Sequence, residues 1–147
     1  LPQGTIGSVI SFEGAFPRST RPFARAGAEL LVVATNKASF GDTPVSDQFI
    51  GMTRMRAAEL GVDVVHAAIT GKSAFIEADG TIVSQTEAFR PEVLLGTVHF
   101  RTEGLTLYAR FGDWLQYLAI AALSIVVGAT LLRDHRHRTE AGHEIDA

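Results

Sequence analysis

Residues 114–132 carry no charged side chain, and this run limits what the chain can fold into more than any other feature. As an α-helix the run would be roughly 28 Å long at ~1.5 Å per residue, close to the ~30 Å hydrocarbon core of a bilayer. Helices buried inside soluble proteins are rarely this long without a charge. The run therefore predicts a transmembrane helix.

The flanks of the apolar run predict its orientation. Trp114 and Tyr117 lie at one end, where an interfacial aromatic anchor is expected. Three arginines follow the other end within six residues, whereas Arg101 and Arg110 precede the run. By the positive-inside rule, we expect a cytoplasmic C-terminus and an extracytoplasmic segment before the helix. The three arginines are Arg133, Arg136 and Arg138.

The first residues show no export signal. Leu1-Pro-Gln-Gly has neither a basic region nor an apolar region of the kind a signal peptide needs. We expect either that the single helix directs insertion or that the chain lacks its natural N-terminal part. The absence of an initiator Met favours the second expectation.

The composition excludes several classes of site. The chain of 147 residues, about one domain in length, has no cysteine, so it cannot supply disulfides, thiolate zinc ligands, iron–sulfur ligands or a thiol nucleophile. Its 13 basic and 16 acidic residues give a net charge of −3. That balance argues against a broad nucleic-acid-binding surface.

The segment before the apolar run alternates between strand and helix patterns. Residues 30–34 form a continuous run rich in β-branched residues, typical of a strand buried on both faces. Ser46 suits the N-cap of a helix that ends near Leu60, and Gly61 suits its C-cap. We expect an α/β fold with a mixed sheet. The predicted strands are 6–10, 30–34, 62–68 and 93–100, the predicted hairpin pairs 75–76 with 82–83, and the predicted helices are 16–26 and 46–60.

Two helices are too few to make this pattern a self-contained fold, because both faces of such a sheet need covering. On the second helix, Phe49, Met52 and Met55 form an apolar stripe that we expect to lie in the core. The pattern therefore predicts part of a larger domain.

An ordered series of motifs resembles a known family. Val9-Ile-Ser-Phe-Glu13, Ala28-Glu-Leu-Leu-Val32, Thr35-Asn36 and Phe40-Gly41-Asp42 resemble the nitrilase, or carbon–nitrogen hydrolase, superfamily. Further motifs, with the apolar run after them, narrow the resemblance to the C-terminal part of the bacterial apolipoprotein N-acyltransferases. These are Met52-Thr-Arg-Met-Arg-Ala-Ala-Glu59, Thr70-Gly71, Asp79-Gly80 and Leu105-Thr-Leu-Tyr-Ala-Arg-Phe-Gly-Asp-Trp114.

The resemblance covers roughly residues 4–132 and implies both a fold and a reaction. The family has a four-layer α-β-β-α domain outside the bacterial cell membrane, carried on several membrane helices. It transfers an acyl chain from a phospholipid to the N-terminal amine of a lipoprotein, using a Glu, a Lys and a Cys. We therefore expect the C-terminal half of a nitrilase-like sandwich at 1–104, a juxtamembrane segment at 105–113, one transmembrane helix at 114–132 and a cytoplasmic tail at 133–147.

The resemblance places Ser11 at the nucleophile position, where the family has Cys. Phe12 keeps the aromatic residue that follows and is expected in the pocket, and Glu13 keeps a supporting carboxylate. The family's catalytic Glu and Lys lie upstream of the nucleophile, and Leu1 to Ile10 contain neither. We therefore expect no acyltransferase activity from this chain alone, and a separate N-terminal half as its possible partner.

Four further residues are possible pocket positions by the same resemblance: Asn36, Lys37, Thr70 and Lys72. The family favours Asn-Asp-Ala-Trp-Phe-Gly where this chain has Asn36-Lys-Ala-Ser-Phe-Gly41, so the pocket loops depart from its pattern. One hypothesis is that one of the two lysines, the only ones in the chain, activates Ser11 in a Ser–Lys dyad. The alternative is that both lysines are solvated in their loops.

Histidines give weaker signals. We expect His66, inside a predicted strand, to be a core or edge residue rather than a catalyst. His135, His137 and His143 follow the apolar run beside arginines, so a solvated tail is expected there rather than a metal site. The sequence contains no glycine-rich phosphate loop, HExxH or GxSxG motif, and we expect neither a metal nor a cofactor.

Three functions remain open. The first is acyl transfer as part of a split or truncated N-acyltransferase, with phospholipid and lipoprotein substrates implied by the resemblance. The second is a non-catalytic, membrane-anchored nitrilase-like remnant or binding subunit. The third, a nitrilase-type amidase, is disfavoured by the apolar run and by the 105–114 motif.

Overall fold

A computed structural model describes the backbone of residues 4–101 and 103–143, and the side chains of 4–101 and 103–133. The chain divides into two compact units, Leu1–Arg110 and Phe111–Ala147. The first unit contains a mixed sheet with its helices, and the second contains one long helix.

The first unit is built on a five-stranded sheet in which neighbours along the chain are neighbours in space. The first three strands are parallel, and the last two pair antiparallel as a hairpin. The sequence-predicted mixed sheet is confirmed. The strands are β1 (Ile6–Ile10), β2 (Leu30–Thr35), β3 (Asp63–Ala68), β4 (Ala74–Ile76) and β5 (Ile82–Gln85).

Two helices connect the parallel strands: α1 (Pro17–Arg25) between β1 and β2, and α2 (Val45–Leu60) between β2 and β3. A short 3₁₀ turn precedes each of them, Ser11–Ala15 and Ala38–Phe40. Parallel strands require such crossover connections, because a tight turn cannot bring the chain back to the same end of the sheet.

The helices cover one face of the sheet, which we call the helix-covered face. Gly7 of β1 lies so close to Phe23 of α1 that a Cβ atom there would be 2.9 Å from the Phe23 Cβ. His66 of β3 is bonded to Thr53 of α2. Alternate residues of β1 to β4 are buried on this face and form the core: Val9, Leu31, Val33, Val64, Ala74 and Ile76.

The opposite face, which we call the open face, is left uncovered by the described residues along β1, although Leu30 on the same face is 4% exposed. Ile6 and Ile10 of β1 are 55% and 68% exposed. The prediction that residues 30–34 are buried on both faces is therefore wrong in part: Val32 is half-buried and Ala34 is exposed. Register places both on the open face, together with Val65, Ala67 and Phe75.

The ends and faces of α2 correct two sequence predictions. The helix starts at Val45, so Pro44 rather than Ser46 occupies the N-cap, whereas Gly61 is the left-handed C-cap as predicted, with φ of +65°. Met52 and Met55 are 38% and 57% exposed rather than in the core. Steps of three residues drift around a helix by about 60° each, away from the buried stripe. That stripe is Phe49, Ile50, Thr53, Arg56, Ala57 and Leu60.

Residues 93–100 form no strand, which corrects the predicted last strand. The segment crosses the starting ends of strands instead of running along one: His99 N–H donates to the Asp63 carboxylate, and Arg101 N–H donates to the Glu29 carbonyl. Because these bonds go to the ends of β3 and β2, the segment makes no ladder. Val93 is 85% exposed, so the β-branched pattern here does not reflect burial.

The first compact unit extends past the predicted boundary at residue 104. The Thr106 hydroxyl donates to the Glu59 carbonyl at the end of α2. The Arg21 side chain donates to the carbonyls of Ala109 and Arg110 in the short helix α3 (Leu107–Phe111). The first residues of the predicted juxtamembrane segment 105–113 therefore pack as part of the sheet unit.

The second unit contains the helix α4 (Trp114–His143). Its residues Trp114–Arg133 have a mean hydropathy of 2.0, and none of this apolar window is buried. The predicted apolar helix is confirmed as a helix long and apolar enough to cross a membrane, and its backbone continues through part of the predicted tail.

Candidate functional site

The residues that the sequence singles out meet at one edge of the sheet. Because β1, β2 and β3 are parallel and in register, their carboxyl ends lie side by side. The turn after β1 carries Ser11, Phe12 and Glu13, the loop after β2 carries Asn36 and Lys37, and the loop after β3 carries Thr70 and Lys72. Such an edge is where open α/β sheets usually bind ligands.

Ser11 is held in an unusual backbone conformation at this edge. It is the first residue of the turn after β1, and its φ is +54°, a left-handed value that costs a residue with a Cβ roughly 1–2 kcal/mol. Ser11 lines a cavity of about 510 Å³ at this edge of the sheet. Ser11, Asn36 and Ser73 supply polar groups to a lining that is otherwise mostly apolar, with Ile10, Ala34 and Ala67 among its walls.

Glu13 and Phe12 hold the turn that carries Ser11. The Glu13 Oε2 atom accepts a hydrogen bond of 2.9 Å from the Ile10 backbone N–H, so the carboxylate caps the turn. The Phe12 ring packs edge-on against Phe49 of α2, at 4.9 Å between ring centroids, and lies 6.5 Å from Phe40. Both side chains support the position of Ser11.

Lys37 lies in an aromatic enclosure. It is only 2% exposed, and its Nζ atom has no hydrogen-bond partner among the described residues. That nitrogen lies 2.9 Å from the Phe49 ring centroid, 5.2 Å from that of Phe12 and 5.8 Å from that of Phe40. Burial lowers the pKa of Lys37 from 10.5 to about 8, because desolvation disfavours the ammonium.

Lys72 has different surroundings from Lys37. Its Nζ atom pairs with the Asp47 carboxylate, and its side chain is 24% exposed. The expectation of two solvated loop lysines therefore fails for Lys37, which is buried. In this structure neither ammonium is bonded to Ser11: Lys37 has no hydrogen-bond partner among the described residues, and the bond of Lys72 goes to Asp47.

Asn36 and Thr70 join the loops after β2 and β3. The Thr70 hydroxyl donates to the Asn36 Oδ1 atom at 2.8 Å, and the same oxygen accepts from the Ala38 N–H at 2.9 Å. In addition, the Lys37 N–H donates to the Thr70 carbonyl at 3.0 Å. Asn36 therefore lines the cavity with its carbonyl oxygen already engaged.

His66 lies below this edge on the helix-covered face, as the sequence predicts for a core histidine. It is 2% exposed, and its Nδ1 atom is 2.9 Å from the Thr53 Oγ1 atom. Because the Thr53 hydroxyl donates to the Phe49 carbonyl, the His66 Nδ1 carries a proton and donates to Thr53. Burial, and secondarily the charge of Lys37, lowers the pKa of His66 from 6.5 to about 4.

Arg56 is a residue of this site that the sequence analysis missed. It is 4% exposed, donates to the Ala15 carbonyl at 3.0 Å and pairs with Glu59 at 2.8 Å. Ala15 ends the turn that starts with Ser11, so Arg56 fixes the far end of that turn. The helical spacing could have predicted its burial, because Arg56 comes three residues after the buried Thr53 on the same helix.

No metal centre is found in the part of the chain that the structure describes: no three His, Asp or Glu residues there are grouped to hold an ion. The side chains of His135, His137 and His143 lie outside the described residues.

Comparisons with known proteins identify curated relatives. The chain is 38% identical over 135 residues to an apolipoprotein N-acyltransferase of Geobacter metallireducens, covering 92% of this chain and 26% of that protein. It is 35% identical over 111 residues to that of Haemophilus ducreyi, covering 76% of this chain and 21% of that protein. The chain thus spans about a quarter of the length of these relatives.

Solved structures show the same fold. A carbon–nitrogen hydrolase from Helicobacter pylori matches with a TM-score of 0.50 at 15% identity, over 57% of this chain and 37% of that one. The NitN amidase from Nesterenkonia sp. AN1 matches with a TM-score of 0.50 at 21% identity, over 60% of this chain and 36% of that one. The carbon–nitrogen hydrolase family matches residues 1–106. The chain therefore belongs to the carbon–nitrogen hydrolase family.

Proposed function

We propose that this chain is the part of an apolipoprotein N-acyltransferase-like enzyme that carries the nucleophile position. The reaction moves an acyl chain from a phospholipid to the N-terminal amine of a lipoprotein. One observation carries the proposal: Ser11, held in a left-handed turn at the carboxyl end of β1, opens on a mostly apolar cavity. Such a cavity suits an acyl chain.

The reaction at residue 11 would have two steps. The side-chain oxygen or sulfur attacks the ester carbonyl, its proton passes to a base, and the donor leaves as an alcohol after the C–O bond breaks. The lipoprotein amine then attacks the acyl-enzyme, an amide forms, and residue 11 recovers its proton. A serine needs a base within hydrogen-bond reach, because its hydroxyl is far less acidic than a thiol.

The surroundings of Ser11 support inactivity of this chain by itself. Glu13 is engaged with the backbone of its own turn, and Lys37 is enclosed by aromatic rings. No described group is hydrogen-bonded to the Ser11 side chain as a base. The catalytic Glu and Lys that the family uses would come from further sequence of the kind that the longer relatives contain, on a separate N-terminal half as one arrangement.

The open face supports the same proposal. It presents Ile6, Ile10 and Ala34 to solvent although apolar surface of this extent is normally buried. In the α-β-β-α sandwich implied by the resemblance, a second sheet would lie there. The missing layer would thereby cover the open face and bring the remaining catalytic groups to Ser11.

For the location, we propose that α4 crosses the bacterial cell membrane, with the sheet unit extracytoplasmic and the C-terminus cytoplasmic. The apolar window Trp114–Arg133, which carries no charge from 114 to 132, supports this placement. Single cysteines introduced at Glu103 and Ala147 test it, because only the first should react with an impermeant maleimide in intact cells. Labelling of Ala147→Cys alone would reverse the orientation.

The experiment that tests the function is complementation in cells depleted of apolipoprotein N-acyltransferase. The full chain is co-expressed with the N-terminal part of the Geobacter metallireducens relative, as wild type, Ser11→Cys and Ser11→Ala. We expect no rescue by the chain alone and rescue by the Ser11→Cys pair. Equal rescue by Ser11→Ala would contradict a reacting role for residue 11 and favour a non-catalytic binding subunit.

An assay with the purified chain distinguishes the remaining function. Detergent-solubilised wild type is incubated with phospholipid and a lipoprotein peptide, and separately with short aliphatic amides. Acylation of the peptide without a partner would refute the expected inactivity, and ammonia release from the amides would favour a nitrilase-type amidase.

A further inference from the structure

The Lys37 side chain contacts four segments around Ser11. Its ammonium faces Phe12 from the turn after β1, Phe40 from its own loop and Phe49 from α2. Its stem packs against the loop after β3, where a Cβ atom on Gly71 would lie 3.2 Å from it. A single residue therefore joins four parts of the site.

The enclosure presents the faces of three aromatic rings to the Lys37 ammonium. Aromatic rings attract a cation through their faces, and the attraction grows when water is excluded. No described carboxylate offers a hydrogen bond to the Lys37 Nζ atom. The three rings are therefore its main favourable contacts, and they are drawn toward it only while it is charged.

The nearby ionisable groups leave that charge uncompensated. His66 on β3 is held neutral by burial, and Glu13 in the turn is bonded to the Ile10 N–H. On α2, Asp47 is paired with Lys72, and Arg56 is paired with Glu59. The field of the Lys37 ammonium thus reaches its surroundings without a close counter-ion among these groups.

We propose that Lys37 is a positioning residue for residue 11: its ammonium holds the Phe12 ring against α2, which fixes the turn that starts at Ser11, and its charge favours an anion at position 11. The inference rests on the proposed function, in which residue 11 is the reacting position. It assigns no proton transfer to Lys37, whose nitrogen faces the rings.

The absence of cysteine makes this inference measurable without any acyl donor. In the full chain in detergent micelles, Ser11→Cys creates a single thiol, and its rate of alkylation by iodoacetamide is measured from pH 5 to pH 10. Lys37→Met removes the charge at nearly constant length, and Lys37→Arg keeps it. Arg18→Met is the matched control, since Arg18 also lies over a phenylalanine ring, Phe16, at 4.8 Å, but outside the site.

We expect Lys37→Met to slow alkylation about threefold at pH 7, where the Lys37 ammonium keeps its charge, and so to move the midpoint of alkylation upward by about half a pH unit. Lys37→Arg should keep the midpoint of the Ser11→Cys parent, and so should Arg18→Met. An unchanged midpoint in Lys37→Met, or an equal shift in Arg18→Met, would overturn the proposal.

Phe12→Leu tests separately whether the Phe12 ring positions the turn. It also replaces Lys37→Met as the test if circular dichroism shows that Lys37→Met does not fold. Phe12→Leu keeps the ammonium and removes the ring that links it to the turn. We expect the limiting alkylation rate at high pH to change at least twofold. An unchanged rate would overturn the link through Phe12. Failure of either measurement leaves the complementation result unaffected, because alkylation requires neither the catalytic Glu and Lys of the family nor a lipid substrate.

Discussion

The two faces of the same sheet differ sharply although both are apolar. On the helix-covered face, α1 and α2 enclose Val33 and Val64 completely, and polar groups such as His66 and Thr53 are bonded to each other. On the open face, Ile6 and Ile10 keep more than half of their surface exposed. Adjacent residues of one strand therefore contribute very differently to the free energy of folding.

This difference shows how much of the fold the chain stabilises by itself. Burial of apolar surface contributes about 25 cal/mol per Å², so the helix-covered face supplies most of the stability, and the open face supplies little until something covers it. An apolar surface without a cover is also one on which another layer binds favourably. The following predictions test this division, beginning with the largest expected effect.

Acid should weaken the helix-covered face through His66. The unfolded chain binds a proton near pH 6.5, whereas the folded chain resists protonation until about pH 4, because burial lowers the pKa of His66. Its contribution is therefore present above pH 6.5 and is lost as the pH falls toward 4. The difference of 2.5 units corresponds to about 3 kcal/mol.

The measurement is urea unfolding of the full chain in detergent at pH 7 and pH 4, for wild type and His66→Gln. We expect the variant to lose less stability than wild type on acidification. The exposed His99, whose Nδ1 atom lies 3.3 Å from the Asp63 carboxylate, offers a comparison variant, His99→Gln, which should keep the acid-induced loss that depends on His66. Equal acid sensitivity of wild type and His66→Gln would show that the helix-covered face tolerates a charge.

Two neighbouring valines of β2 provide the most direct comparison of the faces. Val33 is fully buried below the helices, whereas Val32 points to the open face and is half-buried. We expect Val33→Ala to reduce the free energy of unfolding by about 2 kcal/mol, since it removes buried methyl groups and leaves a cavity. Val32→Ala should cost less than about 1 kcal/mol.

Hydrogen exchange of the β2 amides measures the loss of stability in both variants, because both substitutions lie in the same peptide. Similar losses for the two valines would mean that the open face is covered in solution, by a second copy or by bound detergent.

Alkaline pH should stabilise the fold through Lys37, because deprotonation relieves the cost of burying its charge. Below pH 8 both folded and unfolded chains carry the ammonium, and burying it costs stability. Between pH 8 and pH 10.5 the folded chain releases the proton first, because burial lowers the pKa of Lys37 to about 8, so stability rises with pH. The rise is at most about 3 kcal/mol, and ring attraction to the charged form reduces it to about 2 kcal/mol.

Lys37→Met should remove this rise and be more stable than wild type at pH 7, since an apolar side chain then fills the enclosure. Thermal unfolding at pH 7 and pH 10 measures both effects. A rise of the same size in Lys37→Met would assign the alkaline stabilisation to another group.

The smallest effect is expected on the open face. Ile6→Ser should change the free energy of unfolding by less than about 0.5 kcal/mol, because the side chain is already exposed. The same variant should reduce the fluorescence of a dye that binds exposed apolar surface. A large loss of stability would mean that Ile6 is buried in solution.

The sequence predicted those parts of the fold whose local pattern and burial agree. The strands β1 to β3 and both connecting helices follow from apolar runs and from Gly61 at a helix end. The failures are places where tertiary contacts decide: residues 93–100 have a strand pattern but bond to strand ends, and Met52 and Met55 are apolar but outside the buried stripe.

The sequence predicted where the site lies, but it predicted less well how the side chains of the site are arranged. The order of parallel strands brings Ser11, Asn36 and Thr70 to one edge, which the sequence and its resemblance anticipated. The sequence alone does not distinguish Lys37 from Lys72. The burial of Lys37 depends on Phe49 of α2, and the ion pair of Lys72 depends on Asp47 of the same helix. Arg56 was missed since an arginine is rarely expected on a buried stripe.

The left-handed backbone of Ser11 has a consequence for how this position tolerates substitution. Glycine adopts that conformation without the penalty that a Cβ incurs, so Ser11→Gly would relax the turn while deleting the hydroxyl from the cavity. Stability and chemical capability therefore favour different residues at position 11. Selection for stability alone would favour glycine there, whereas selection for a reactive side chain would keep the turn strained.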